Sequence, residues 1–125
     1  MIERIFFIIL IFIIFAAGIS LMIHLYNRKV AEEKIDQYIA DYGIPKKEIK
    51  SVHFPMFNSP FAPIGFSKTV FVKNEKNKQN YYIFHYDPSS KKIIFTAVVE
   101  GNEVGIHDKL IKKLKYQPSE KVLHE

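Results

Sequence analysis

Hydrophobic positions follow three regimes along this chain. From Ile5 to Ile23 they form one nearly unbroken run, IFFIILIFIIFAAGISLMI, with no charged residue inside it. From Lys29 to Tyr42 they thin to Ala31, Ile35, Tyr38, Ile39 and Tyr42, whose spacings of four, three, one and three line a single helix face. Past Gly43 they gather into short segments rich in β-branched and aromatic residues, separated by polar turns. At about 1.5 Å per residue the first run makes a helix of roughly 28 Å, close to the ~30 Å hydrocarbon core of a bilayer. Its residues are mostly Ile, Leu and Phe, each favouring insertion by about 0.3–0.6 kcal/mol near a helix centre. The run therefore predicts one membrane span whose partner is lipid.

A removable signal peptide is the competing reading, because Met1-Ile2-Glu3-Arg4 forms a short n-region and Ala16-Ala17-Gly18 supplies small residues near a cleavage position. The apolar stretch continues through Ile19, Leu21, Met22 and Ile23, however, beyond the 7–15 residues of a typical removable core. An uncleaved signal anchor is the expectation, with Tyr26 at the interface and Arg28 and Lys29 reaching headgroups. The span is read as running almost directly into the Lys29–Tyr42 helix.

About 100 residues remain after the span, enough for one small domain burying roughly 60–65% of its unfolded surface. Gly43 ends the amphipathic helix and Ile44-Pro45 redirects the chain. Strands are predicted around Glu48 to Phe54, Gly65 to Lys73, Tyr81 to Tyr86 and Ile93 to Val99, with Asp87-Pro88-Ser89-Ser90-Lys91 the strongest turn between them. Asp108 is placed to cap a short basic helix through Tyr116 that carries Leu110, Ile111 and Leu114 on its apolar side. The expected fold is α+β: an N-terminal transmembrane helix, then one helix packed on a four-stranded antiparallel sheet and a short C-terminal helix. Residues 1–28 form the anchor, 29–118 the domain and 119–125 a flexible tail.

The stretch Tyr38-Ile39-Ala40-Asp41-Tyr42-Gly43, the strand entry Lys47-Glu48-Ile49-Lys50-Ser51-Val52, and Tyr81-Tyr82-Ile83-Phe84-His85-Tyr86 with a turn and Lys92-Ile93-Ile94 after it carry a resemblance. In this order behind an N-terminal span they resemble an uncharacterised family of small single-pass membrane proteins of Gram-positive bacteria, defined only as a domain of unknown function. The resemblance implies an anchored domain facing the cell envelope, and it brings no catalytic residues. It also sets the expected orientation, with the C-terminal domain outside. A literal positive-inside count over Arg28, Lys29 and Lys34 favours the cytoplasm, but the flanking difference is small and Glu32 and Glu33 lie among the basic residues. The absence of cysteine fits both sides of a bacterial membrane.

Candidate chemistry adds little to this picture. The chain has no cysteine, and its domain histidines His53, His85 and His107 show no pairing at helical spacing, so no metal site or cofactor is expected. Ser51, Ser67 or Ser89 can be combined with His53 or His85, yet no nucleophile-elbow or phosphate-loop pattern accompanies them, and the chain is read as non-enzymatic, with no small-molecule substrate. The proline-stiffened loop from Phe54 to Phe66 is the most unusual soluble segment. Phe57, Phe61 and Phe66 on it, with Tyr82 and Tyr86 on an outward strand face or edge, are the candidates for contact with an envelope protein partner. Eighteen Lys and Arg against thirteen Asp and Glu give a net charge of +5. Lys109, Lys112, Lys113 and Lys115, with Arg28 and Lys29, are the candidates for a membrane surface, and no nucleic-acid signature is present. The expected function is a membrane-anchored binding or regulatory module at the cell envelope. The alternative is a structural protein lying against lipid through its basic patch.

Overall fold

Helix α1 of the computed structural model, which describes residues 1–57 and 64–124, spans Ile2–Tyr42. The chain divides into two compact units, Met1–Val30 and Ala31–Glu125. In the first, the apolar residues between Ile5 and Ile23 are exposed all round the helix, and α1 is long and apolar enough to cross a membrane. In the second, Ala31, Ile35, Tyr38, Ile39 and Tyr42 are the buried positions of α1, the same stripe that the sequence spacing picks out. Gly43, at φ +112°, stops the helix; its amide and that of Ile44 both donate to the Ile39 carbonyl. Such a C-terminal reversal favours glycine because a Cβ strains this backbone region.

After a 3₁₀ turn at Lys46–Glu48 come β1 (Ile49–His53), β2 (Phe66–Val72), β3 (Tyr81–Asp87), β4 (Lys92–Val99) and β5 (Asn102–Gly105). They form one antiparallel meander in the order β1-β2-β3-β4-β5. The Asp87 turn behaves as its composition predicts. Its carboxylate accepts bonds from the Ser89 amide and from the Ser89 and Ser90 hydroxyls, which hold its pKa below the usual aspartate value. The sheet has five strands rather than the expected four. Glu100 and Gly101 both take positive φ, +53° and +83°, and this two-residue reversal folds Asn102–Gly105 back on β4. Only Val104 of that strand is buried, so its pattern is too short to announce itself.

Alternation along β2, β3 and β4 sends Val70, Val72, Tyr82, Phe84, Phe95, Ala97 and Val99 to the face that packs with the Ala31–Tyr42 stripe. The Tyr42 ring lies 4.9 Å from Phe95 and 5.9 Å from both Phe84 and Tyr82, and Tyr38 meets Phe84 edge-on at 5.8 Å. Aromatic pairs of this geometry contribute about 0.5–1.5 kcal/mol each beyond the area they bury.

The C-terminal segment differs from expectation twice. Asp108 caps as predicted, accepting from the Leu110 amide, but the helix it starts is a 3₁₀ helix, Lys109–Lys113, that buries Ile111 and leads into buried Leu114. Residues after Pro118 form helix α2 (Glu120–Leu123) instead of a frayed tail. Val122 is buried in the core, and Ser119 donates from its hydroxyl to the Asp41 carbonyl and from its amide to the Tyr42 carbonyl. Those carbonyls belong to the last turn of α1, where backbone acceptors lack helical partners.

Candidate functional site

The stretch after β1 carries apolar side chains into solvent. Met56, Phe57 and Ile64 are 45%, 63% and 86% exposed, whereas Phe54 packs against the core. Phe61 lies outside the described residues. The return to the sheet depends on Gly65: at φ +127° it admits no ordinary side chain, and a Cβ there would sit 2.1 Å from the Tyr86 carbonyl oxygen. Phe66, next in sequence, is buried.

Register sets Ser67 directly across from His85. The Ser67 hydroxyl bonds to His85 Nδ1, and His85 Nε2 lies 3.0 Å from the Ile64 carbonyl oxygen. Because a carbonyl only accepts, Nε2 carries the proton in the neutral ring, and Nδ1 then accepts from Ser67. The structure thus assembles one of the serine–histidine combinations present in the sequence. The imidazole's second partner is a backbone carbonyl rather than an acid, and the pair ties the loop's return to β3. His53 and His107 are exposed. Among the described residues no group of three or more His, Cys, Asp or Glu side chains is gathered that could hold a metal ion.

Three of the aromatic residues singled out in the sequence sit in the core. Phe66, Tyr82 and Tyr86 are 8%, 0% and 6% exposed, so they offer no surface to a partner. Alternation alone gives two sets of strand residues without saying which set turns inward. Here Tyr81, Ile83 and His85 are the half-exposed set. Tyr82 instead organises a buried polar knot. Its hydroxyl donates to Glu75 and accepts from the Tyr116 amide, while the Tyr42 hydroxyl donates to the Tyr116 carbonyl. Burial pushes the pKa of both phenols well above the ordinary tyrosine value, and the charge of Glu75 adds to the shift.

One of the two edges of the sheet, β1, is guarded. β1 has a register irregularity between Ile49 and Ser51, and exposed Lys50 stands at that place, two features that discourage a further strand. The basic residues divide likewise. Lys113 pairs with Glu100 at 3.1 Å, and Lys115 donates to the Lys73 carbonyl and pairs with Glu48 at 3.7 Å. Lys109 and Lys112 are exposed, and Arg28 and Lys29 lie on α1 within the first unit.

Lys68 escapes a reading of the sequence; it occupies an inward position of β2 and is 7% exposed. Its ammonium lies 2.7 Å from Asp36 and 3.2 Å from Glu32, both on α1, and 5.2 Å from the Phe54 ring centroid. A signal for it exists: Glu32 and Asp36 are four apart, one helical turn, and flank the apolar stripe.

No protein-family model matches this chain, and no solved structure matches it. It is 31% identical over 103 residues to the "Uncharacterized 13.4 kDa protein" of Bacillus thuringiensis, an alignment covering 75% of this chain and 85% of that relative. The chain belongs to the family of that uncharacterised Bacillus protein.

Proposed function

We propose that this is a single-pass membrane protein of the Gram-positive cell envelope. In this reading Ile5 to Ile23 span the bilayer, and the domain from Ala31 onward serves outside as a non-enzymatic binding or regulatory module. The observation that carries the reading is the exposure of every large apolar side chain between Ile5 and Ile23, around the whole helix. In water such a surface is far larger than a monomer tolerates, while lipid solvates it at no cost. Exposed Met56, Phe57 and Ile64 support protein contact as the domain's role, since large apolar side chains on the surface beside a sheet are suited to docking. The guarded β1 edge disfavours strand addition beside the loop. The lipid-facing alternative is weaker because Lys113 and Lys115 already hold carboxylates.

Two measurements test the proposal. Ser90→Cys introduces a single thiol in an exposed turn of a chain without cysteine. A membrane-impermeant reagent should label it on intact cells, and protection until lysis would put the domain in the cytoplasm. Partners co-purified in mild detergent should be lost in Phe57→Ser and Ile64→Ser while the thermal unfolding of the protein stays unchanged. Retention of every partner would remove the loop from the proposal.

A further inference from the structure

A cleft of about 570 Å³ opens within the Ala31–Glu125 unit, between α1, the start of β4, the segment after β5, and α2. Buried Tyr38 and Phe95 and half-buried Ile93, Ile106 and Leu123 give it an apolar floor. Exposed Lys34, Lys91 and Lys92 border it. Among the described residues none of these three lysines makes an ion pair, whereas the acid of the cleft, Asp41, is held by Lys121 at 3.2 Å and by Gln37 at 3.0 Å. The border is therefore cationic and uncommitted, and the floor is apolar. The volume falls in the ordinary range of small-ligand sites, roughly 300–1,000 Å³.

We infer that this cleft binds a single-chain amphiphile with an anionic head, of the chemical class of a fatty-acid carboxylate. Each half of the site excludes a simpler occupant. A purely polar anion would satisfy the lysines and leave the floor wet; a neutral hydrocarbon would cover the floor and leave three cations without a counter-charge. Lysine stems extend an apolar floor while their ammonium groups meet an anion at its border, the arrangement that a chain with one terminal carboxylate completes. The inference concerns the domain alone and stands apart from whether Ile5 to Ile23 span a bilayer, so either reading can fail without the other.

The test uses the full chain in phosphatidylcholine nanodiscs with a diazirine-bearing dodecanoate, the labelled peptides being identified by mass spectrometry. Labelling should fall on the peptides holding residues 91–95, 106–107 and 122–123. Laurate should compete it away and dodecanol should not. Lys34→Gln, Lys91→Gln and Lys92→Gln together should weaken binding about tenfold at low ionic strength, the combined effect of three partly screened charges. The unmodified protein should show a parallel loss as salt is raised, a readout that needs no variant. Labelling confined to residues 5–23, equal competition by dodecanol, or an affinity indifferent to both salt and the triple substitution would each overturn the inference.

Discussion

Two stretches of α1 share one helical backbone and place their apolar residues in opposite ways. Between Ile5 and Ile23 they occupy every side of the helix and all the large ones are exposed; between Ala31 and Tyr42 all but exposed Ala40 keep to one stripe, and the five residues of that stripe are buried. A helix that is apolar all round finds its complement in lipid or in a partner outside the chain. A stripe at i, i+3 and i+4 identifies its complement as something with one apolar face, here the inner side of a five-stranded sheet. Periodicity, more than hydrophobicity, is what specifies the internal partner.

One introduced charge should act differently in the two stretches. Ile35→Asp places an unpaired carboxylate at a position with 0% exposure and should destabilise the domain by about 3 kcal/mol or more, enough to abolish its cooperative melt. Ile11→Asp should leave that melt in place, because Ile11 is already 50% exposed. Its effect should instead be on membrane insertion, at about 2.5–3.5 kcal/mol near the centre of a span, read as loss of carbonate-resistant pelleting. Equal loss of melting in both variants would show that the first stretch folds into a protein interior.

A second contrast sharpens the role of the packed stretch. Lys68 is nearly enclosed, with 8% of its side chain exposed, while its partners Glu32 and Asp36 keep 41% and 46%. Removing both carboxylates with Glu32→Gln and Asp36→Asn strands a buried ammonium and should cost about 3 kcal/mol. Lys68→Met leaves two carboxylates in reach of water and an apolar chain in an apolar place, so its cost should be far smaller. Urea midpoints at constant slope measure both. Equal destabilisation would mean that the contribution comes from the ion pairs themselves rather than from avoided burial of one charge.

Much of this architecture is legible in the sequence, and the omissions have physical reasons. The five stripe positions, the Gly43 stop, the Asp87 turn and the Asp108 cap are local rules read from neighbouring residues. The fifth strand is hidden because Asn102–Gly105 has one buried residue and depends on the reversal at Glu100-Gly101. An outward placement of Tyr82 and Tyr86 fails because period-two alternation has no phase of its own; only contact with Tyr42 and Tyr38 sets it. Lys68, in step with Phe66, Val70 and Val72, interrupts an inward series that would otherwise show which way β2 faces. The candidate loop is legible as an anomaly, and its exposed members Met56, Phe57 and Ile64 become distinct from buried Phe66 only through the fold.

Tyr42 joins the end of the packed stretch to the C-terminal segment and gives it a pH dependence. Burial raises the phenol pKa of Tyr42 and Tyr82 above the ordinary value of 10.0. In the unfolded chain both ionise near that value while the folded state holds them neutral, so the unfolded state binds fewer protons. Stability is then fully present below pH 10.0 and falls as the pH rises beyond it. Tyr42→Phe removes the hydroxyl that donates to Tyr116 and should cost about 1 kcal/mol at neutral pH while making the alkaline decline shallower. Denaturation midpoints measured from neutral to alkaline pH check both effects.

The smallest effect belongs to the polar side of the same stretch. Lys121 pairs with Asp41 at 3.2 Å, linking α2 to α1, but the lysine side chain is 65% exposed. Water and salt screen such a pair, and holding a long side chain in place costs entropy, so Lys121→Gln should lower stability by less than about 1 kcal/mol. Val122→Ala, one residue on, removes a side chain that is 4% exposed and should cost more. Chemical denaturation of the two variants separates the contributions. If Lys121→Gln proves the more damaging, the attachment of α2 is electrostatic, and its stability should then decline with added salt; if Val122→Ala does, α2 is held by the same apolar complementarity that distinguishes the packed stretch of α1 from the exposed one.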